Sequence, residues 1–516
     1  MSPAARPSSP VRLLVLVTLA WGLLLASYAQ LTPMYRVPDE PAHLDAAVRL
    51  AEGRGWPPPG EARYVGAVWA SIAGTATTTA EDRPTLAELA RTAPEEAVQV
   101  DQMTQHPPTW YLLAAGVLRL VGYEDLRTDH VVMTLRALDA LLVLPLPWLV
   151  HATALRVTGS HRTALTAAVA LFAVPQLAQV ASGVTNDALA ILLGAVLTWT
   201  TARVLTGADR LRDAVVVGVV LGALLATKGT GLPGVPFVAL VLLLAGRPLL
   251  RLRARLVRTG AALGVAFAIG GWWWLRNILV LGDVQPSGLA AKRPAVDWPS
   301  GTGPDVDLYV GTMWDGLSAS FWGRLGRVEY ALPAVVTDAL TVLALLGVAV
   351  VVLGRRRPVP RRALLLATFA ALGLAFLVVN TGRIYARTGG IHGVQGRYLF
   401  VEIVALVVVA AVGWRSACST DAGRRALAVT AVSGSAVLAV AGLLTLHHGA
   451  YHRSLVAPDQ GLALWARTAA WGAPAGTATG VALLVALSVV TVLTVRALAR
   501  TDEDAAAPEG GHDHDR

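Results

Sequence analysis

VPDEPAH, residues 37–43, is where the chain first leaves an apolar environment. The run before it, 12–31, carries no charge after Arg12. About 20 apolar residues are what a helix needs to cross a bilayer. Asp39 and Glu40 therefore stand at a membrane boundary, and Pro41 fits the first turn of a helix that follows, near 41–53. Free backbone N–H groups at such a start favour a charged carboxylate, whereas apolar surroundings make a better general base. The sequence leaves both readings of the acid pair open.

The same alternation continues along the chain. Of 516 residues, 54% are hydrophobic and 15% charged, which excludes one large soluble domain. Basic connections occur at 156–162, 203–212, 247–258, 355–362, 415–425 and after Arg496. Such connections mark the cytoplasmic side, so the spans between them must come in pairs. Apolar runs near 12–31, 131–155, 163–181, 188–204, 214–228, 234–250, 259–280, 333–353, 363–380, 397–414, 426–445 and 474–498 comply. The expected fold is an all-α polytopic membrane protein of about twelve transmembrane helices. The net charge of +9 does not point to nucleic acid, because the arginines sit in those connections. Cys418 is the only cysteine, which excludes an intramolecular disulfide and a cysteine metal cluster.

One apolar run is left over. Residues 107–121 are short for a crossing, and counting them would invert every later connection. They read as a re-entrant or short interfacial helix. Residues 1–498 thus form a single transmembrane domain with large outer loops at 32–130 and 281–332, the first carrying helices near 41–53 and 85–99. Residues 499–516 are acidic, with Gly and Pro, and read as a disordered cytoplasmic tail. His512 and His514 there are candidate weak metal ligands, though a solvated tail explains them as well.

With sidedness set by arginines alone, the unusual polar residues at span ends fall on the outer face. Ionisable groups at membrane depth are costly and usually functional. Beyond Asp39, Glu40 and His43, they are Gln105 and His106 in QHPPTWY (105–111), Asn186 and Asp187 in TNDAL (185–189), and Lys228 in TKGTGLPG (227–234). WWWLRN (272–277) adds Arg276 and Asn277, SFWGRLG (320–326) adds Arg324, and VQGRYLF (394–400), preceded by His392, adds Gln395, Arg397 and Tyr398. Each has a plain alternative: a helix cap, a snorkelling cation or an interfacial aromatic. Walker, HExxH and GxSxG patterns do not occur.

The order of these motifs resembles the GT-C class of integral-membrane glycosyltransferases, with an acidic motif after the first span and a Pro-containing motif before the next. Protein mannosyltransferases and the bacterial aminoarabinose transferase of lipid A have similar layouts. A bacterial polytopic membrane family grouped with that class is more similar still, carrying PDEPAH, WxRN, SFWGxFG and QGRY segments; here Leu325 replaces the usual aromatic. The resemblance implies a GT-C-like fold and a polyprenyl-phosphate sugar donor. It implies transfer to a glycan, lipid or protein acceptor, with inversion and with Asp39 as catalytic base. Glu40 would be a second acid, and Asp39, Glu40 and His43 the candidate ligands of a divalent metal such as Mg or Mn. Gln105, His106, Asn186, Asp187, Lys228, Arg276, Arg324, Gln395, Arg397 and Tyr398 would bind substrate. The implied location is a bacterial cytoplasmic membrane with the site facing outward. A transporter or flippase for a lipid-linked glycan, or a non-catalytic cell-envelope assembly subunit, are the competing readings.

Overall fold

The computed structural model describes residues 10–75, 78–245, 251–289, 292–354, 358–452 and 459–499. The expected tail, apart from Ala499, lies outside the described residues, as do His512 and His514. Among the described residues nine helices are long and apolar enough to cross a membrane. The pair His161–Ala173 and Pro175–Ala181, bent by 75°, makes a tenth if it is counted as one broken span. Pro175 causes that break, since it lacks an N–H and keeps Val174 out of the helical region (φ −118°, ψ 75°).

The expected count of twelve is therefore not confirmed. The runs near 214–228 and 234–250 form helices of 15 and 11 residues, Leu211–Leu225 and Gly234–Leu244. Gly229, Gly231 and Pro233 separate the two helices, and residues 246–250 of the second run lie outside the described residues. The run 107–121 gives the helix Thr109–Val121, about 20 Å long at 1.5 Å per residue. Its Trp110, Tyr111, Ala114 and Leu118 pack with Leu44, Ala47 and Val48 of the helix Glu40–Ala51 in a small hydrophobic cluster separate from that of the main bundle.

The helix expected near 85–99 is only Leu86–Ala90, closed by a Thr85/Glu88 capping box. Pro94 prevents its extension, and Glu96–Val100, with β-branched Val98 and Val100, pairs antiparallel with Arg63–Val65.

Two helices define the ends of the bundle. Asp187–Leu205 has Asp187 in its first turn and Arg203 in its last, roughly 24 Å apart. The span Gly396–Ala417 likewise starts beside Arg397 and ends near Arg415. At the arginine-rich end Arg162 pairs with Asp421 (2.7 Å) and Arg415 Nη1 donates to Thr163 Oγ1 (3.2 Å). The motifs gather at the other end.

Candidate active site

Asp39 immediately precedes the helix Glu40–Ala51 with φ 61° and ψ 6°. Among non-glycine residues Asp and Asn tolerate this left-handed geometry best. The turn aims the Asp39 side chain away from the helix, so it makes no capping bond. Instead Arg397 Nη2 donates to Asp39 Oδ2, and Gln102 Nε2 donates to Oδ1 at 3.3 Å. Arg397 Nη1 lies 3.5 Å from Asp187 Oδ2, and Lys228 Nζ donates to Asp187 Oδ1 at 2.7 Å. Four charges alternate: Asp39, Arg397, Asp187, Lys228. Arg397, Asp187 and Lys228 are buried, while the Asp39 side chain is 36% exposed and is the member a ligand reaches first. The Tyr398 ring packs under both cations, 5.3 Å from the Arg397 guanidinium and 6.0 Å from Lys228 Nζ. Burial pushes the Asp39 pKa up, but Arg397 above all, with Lys228, holds the carboxyl well below the usual range.

The motifs hold each other in place. A Cβ at Gly396 would sit 2.4 Å from the Phe321 nitrogen, so only glycine allows QGRY to lie on SFWG. The Gly396 N–H donates to Ser320 Oγ at 2.7 Å in the same contact. His43 joins three segments: its Nδ1 meets Tyr111 Oη (2.9 Å) and its Nε2 meets Thr185 Oγ1 (3.4 Å). Burial, reinforced by Lys228, pushes the His43 pKa down to about 3, which leaves a neutral imidazole. Asp139 accepts from Trp110 Nε1 and from the Thr185 N–H, each at 2.8 Å, and so fixes the turn that delivers Asp187.

Glu40 has a different setting. Arg136 Nε and Nη2 donate to its two oxygens at 2.8 and 2.7 Å, and the Val184 N–H adds a third bond at 3.2 Å. Arg136 also donates to the carbonyls of Ala29, Thr32 and Pro33. Both side chains are buried, so consecutive acids of one motif belong to separate centres. This arrangement does not fit the expected metal ligands. Glu40 is consumed by Arg136, both His43 nitrogens have partners, and no group of three His, Cys, Asp or Glu able to hold a metal occurs among the described residues.

Other candidates lie at the rim. Gln105 Oε1 accepts from the Gly288 N–H (3.2 Å), which ties the segments 32–130 and 281–332 together, and Gln105 Nε2 lies 3.5 Å from His106 Nε2. His106 Nδ1, both amide atoms of Asn186, Gln395 Oε1 and Arg397 Nε are buried without a protein partner. Burial pushes His106 well below the usual histidine range, so this ring too is neutral. Arg276 is not brought into this cluster: it is exposed, 5.3 Å from the Trp273 ring, with a 3.3 Å bond to Asn277. Arg324 sits in a two-residue strand, its backbone N–H bonded to Gln176. Sequence reasoning missed Gln102, Tyr111, Arg136, Asp139 and Thr185. Arg136 and Asp139 had a signal, being charges inside the apolar run 131–155.

Beside the cluster an apolar cavity of about 1070 Å³ begins at Phe321 and Leu399, close in sequence to Arg397, and runs down to Arg162, Arg415 and Arg424.

The fold and site define a helical, multi-pass membrane protein with a buried charge cluster at one end of the bundle. Residues 22–407 match the family described as "Predicted membrane protein (DUF2142)", and the chain belongs to that family. Among solved structures it is similar to ArnT from Cupriavidus metallidurans bound to undecaprenyl phosphate, at 17% identity and a TM-score of 0.49, covering 95% of this chain and 76% of that one. It is also similar to the Archaeoglobus fulgidus oligosaccharyltransferase in its apo form, at 11% identity and a TM-score of 0.41, covering 95% of this chain and 56% of that one. No curated protein matches the sequence.

Proposed function

We propose that the chain is a GT-C-like glycosyltransferase that moves a sugar from a polyprenyl-phosphate donor to an acceptor hydroxyl at the outer face of a bacterial cytoplasmic membrane. The observation that carries this reading is the cation pair Arg397–Lys228, set beside an open carboxylate and next to a long apolar cavity. A lipid phosphate needs that combination, with fixed positive charge for the leaving group and an apolar slot for the chain. The unpartnered Asn186, His106 and Gln395 atoms supply hydrogen-bonding capacity for a sugar.

In the reaction, the acceptor oxygen forms a bond to the anomeric carbon as the bond from that carbon to the phosphate oxygen breaks. The electron pair leaves with the phosphate, and the hydroxyl proton goes to Asp39. A single displacement inverts the anomeric centre. In the free protein Arg397 makes Asp39 a weak base. A donor phosphate taking Arg397 Nε, which has no partner, would share the guanidinium and let the Asp39 pKa climb. Donor binding therefore arms the base. No step requires a metal.

The test is purified protein in liposomes with a labelled polyprenyl-phosphate sugar and a cell-envelope extract as acceptor source. The expected result is label transfer with release of polyprenyl phosphate, and no transfer by Asp39→Asn. Movement of a fluorescent lipid-linked sugar between leaflets without any transfer would sink the enzyme reading in favour of a flippase. For sidedness, Cys418→Ser with single cysteines at 39 and 415 should label from opposite faces.

A further inference from the structure

The far end of the apolar cavity has no part in the chemistry above. Its walls follow the helix Ile403–Ala417 from its start and the helix Asp421–Tyr451 from Asp421 to Leu438. From Leu399 to Arg415 is roughly 24 Å of helical rise, most of the thickness of a bilayer's hydrocarbon core. The mouth at that end is polar, lined by Ser160, Arg162, Thr163, Arg415, Asp421 and Arg424. Three guanidiniums and one carboxylate line that mouth, so the described lining is mainly positive. Asp421 already pairs with Arg162 at 2.7 Å and with Arg425 at 3.0 Å. Arg424 Nε donates to the Cys418 carbonyl at 3.1 Å. Deep in the wall, a side chain at Gly434 would meet nothing within 4 Å, so the space beside it is open.

We propose that this mouth is a binding site for one anionic glycerophospholipid, with its phosphate on Arg415 and Arg424 and an acyl chain running up the cavity past Gly434. Charge selects the occupant, because a zwitterionic headgroup leaves the positive lining uncompensated. The leaflet at the basic end of a membrane protein supplies anionic phospholipid in quantity. The lipid enters head-down, opposite to the donor proposed for the other end. The two chains then compete for one cavity, so the bound phospholipid is an occupant that donor must displace.

The test is native mass spectrometry of the full chain titrated with phosphatidylglycerol and, separately, phosphatidylcholine. The expected result is a one-to-one phosphatidylglycerol adduct held about tenfold more tightly, the scale of one charge-assisted hydrogen bond. Arg424→Gln should bring the two lipids level, and Gly434→Leu should weaken both. Both variants should keep the parent melting temperature, since Arg424 holds only one carbonyl and Gly434 borders open space. Arg397→Gln, changed only at the opposite end, should leave phosphatidylglycerol binding intact. Equal retention of both lipids, or indifference to Arg424→Gln and Gly434→Leu, would overturn the site. Loss of binding in Arg397→Gln would also overturn it, by showing the lipid seated head-up in the donor's place. A chain that fails to transfer sugar but passes these tests separates this proposal from the enzymatic one.

Discussion

The Glu40–Arg136 and Asp39–Arg397 contacts are both carboxylate–guanidinium pairs, made by consecutive residues of one motif, and they differ in completeness. Around Glu40 every guanidinium nitrogen of Arg136 has an acceptor, and both carboxylate oxygens are taken. Around Asp39 the Arg397 Nε is idle, Asn186 uses neither amide atom, and the carboxylate is a third open. A buried polar group left without a partner is a cost that native proteins rarely carry except where something else binds. The satisfied pair ties the chain's exit from its first helix to the Arg136 helix. The unsatisfied one leaves Arg397 Nε and both Asn186 amide atoms without protein partners.

The largest effect should follow from Asp39→Asn. Asparagine accepts the same left-handed backbone and has nearly the same shape, so the fold should keep its melting temperature to within the 1 kcal/mol or so typical of a partly exposed ion pair. Sugar transfer should fall by about 10³-fold, the range of a lost general base. An Asp39→Asn protein that transfers normally would erase the functional half of the contrast.

Glu40→Gln should give the reverse pattern. Removing one partner of a buried pair costs about 3–5 kcal/mol, because Arg136 keeps its charge. Thermal unfolding in detergent should show that loss, while activity per folded molecule should stay within a few-fold. The double variant Glu40→Gln/Arg136→Met should not recover stability. Arg136 also satisfies the carbonyls of Ala29, Thr32 and Pro33, which methionine cannot do. Full recovery would show that the pair is dispensable and that its completeness means nothing.

His43 gives a third measurement, at the seam between the two centres. Its folded pKa of about 3 lies below the unfolded value of about 6.5, so the unfolded chain binds the extra proton between those limits. His43 therefore favours folding fully only above pH 6.5, and that contribution is lost as pH falls toward 3. From pH 7 to pH 5 the loss is about 2 kcal/mol. Asp45 and Asp101, whose pKa values are raised chiefly by burial, slope the other way, so the informative quantity is the parent minus His43→Asn difference across pH. A flat difference would mean that His43 is not held neutral.

Part of this contrast was legible in the sequence. Asp39, Asp187, Lys228 and Arg397 stood out as charges at the ends of apolar runs, and sidedness argued from arginines alone put them together. The separation of Glu40 from Asp39 was not legible. It depends on Arg136, 96 residues away inside an apolar run, and on the positive φ of Asp39, neither of which adjacent acids reveal. The count of twelve spans went unconfirmed for another reason. The helices in the runs 214–228 and 234–250 are 15 and 11 residues long, short for a crossing, and residues 246–250 lie outside the described residues. Glu95, Glu96 and Ala97 hid the strand Glu96–Val100, because helix-forming residues there yield to tertiary pairing.

Arg276 provides the smallest expected effect and a control on the whole comparison. By sequence it matches Arg397, an arginine at the end of an apolar run beside aromatic residues. By contact it does not, since Arg397 reaches two carboxylates while Arg276, among the described residues, pairs with the Trp273 ring and Asn277. An exposed arginine with one cation–π contact contributes about 0.5–1 kcal/mol. Arg276→Gln should therefore shift the melting temperature slightly and leave sugar transfer within about twofold of the parent, since each tenfold needs 1.4 kcal/mol at the transition state. The matched change Arg397→Gln leaves Asp187 with Lys228 alone and Asp39 without its cation, and should remove most transfer. Equal losses in the two variants would mean that the exposed face around Arg276 closes onto the donor, and that completeness of bonding in the free protein does not mark out the site.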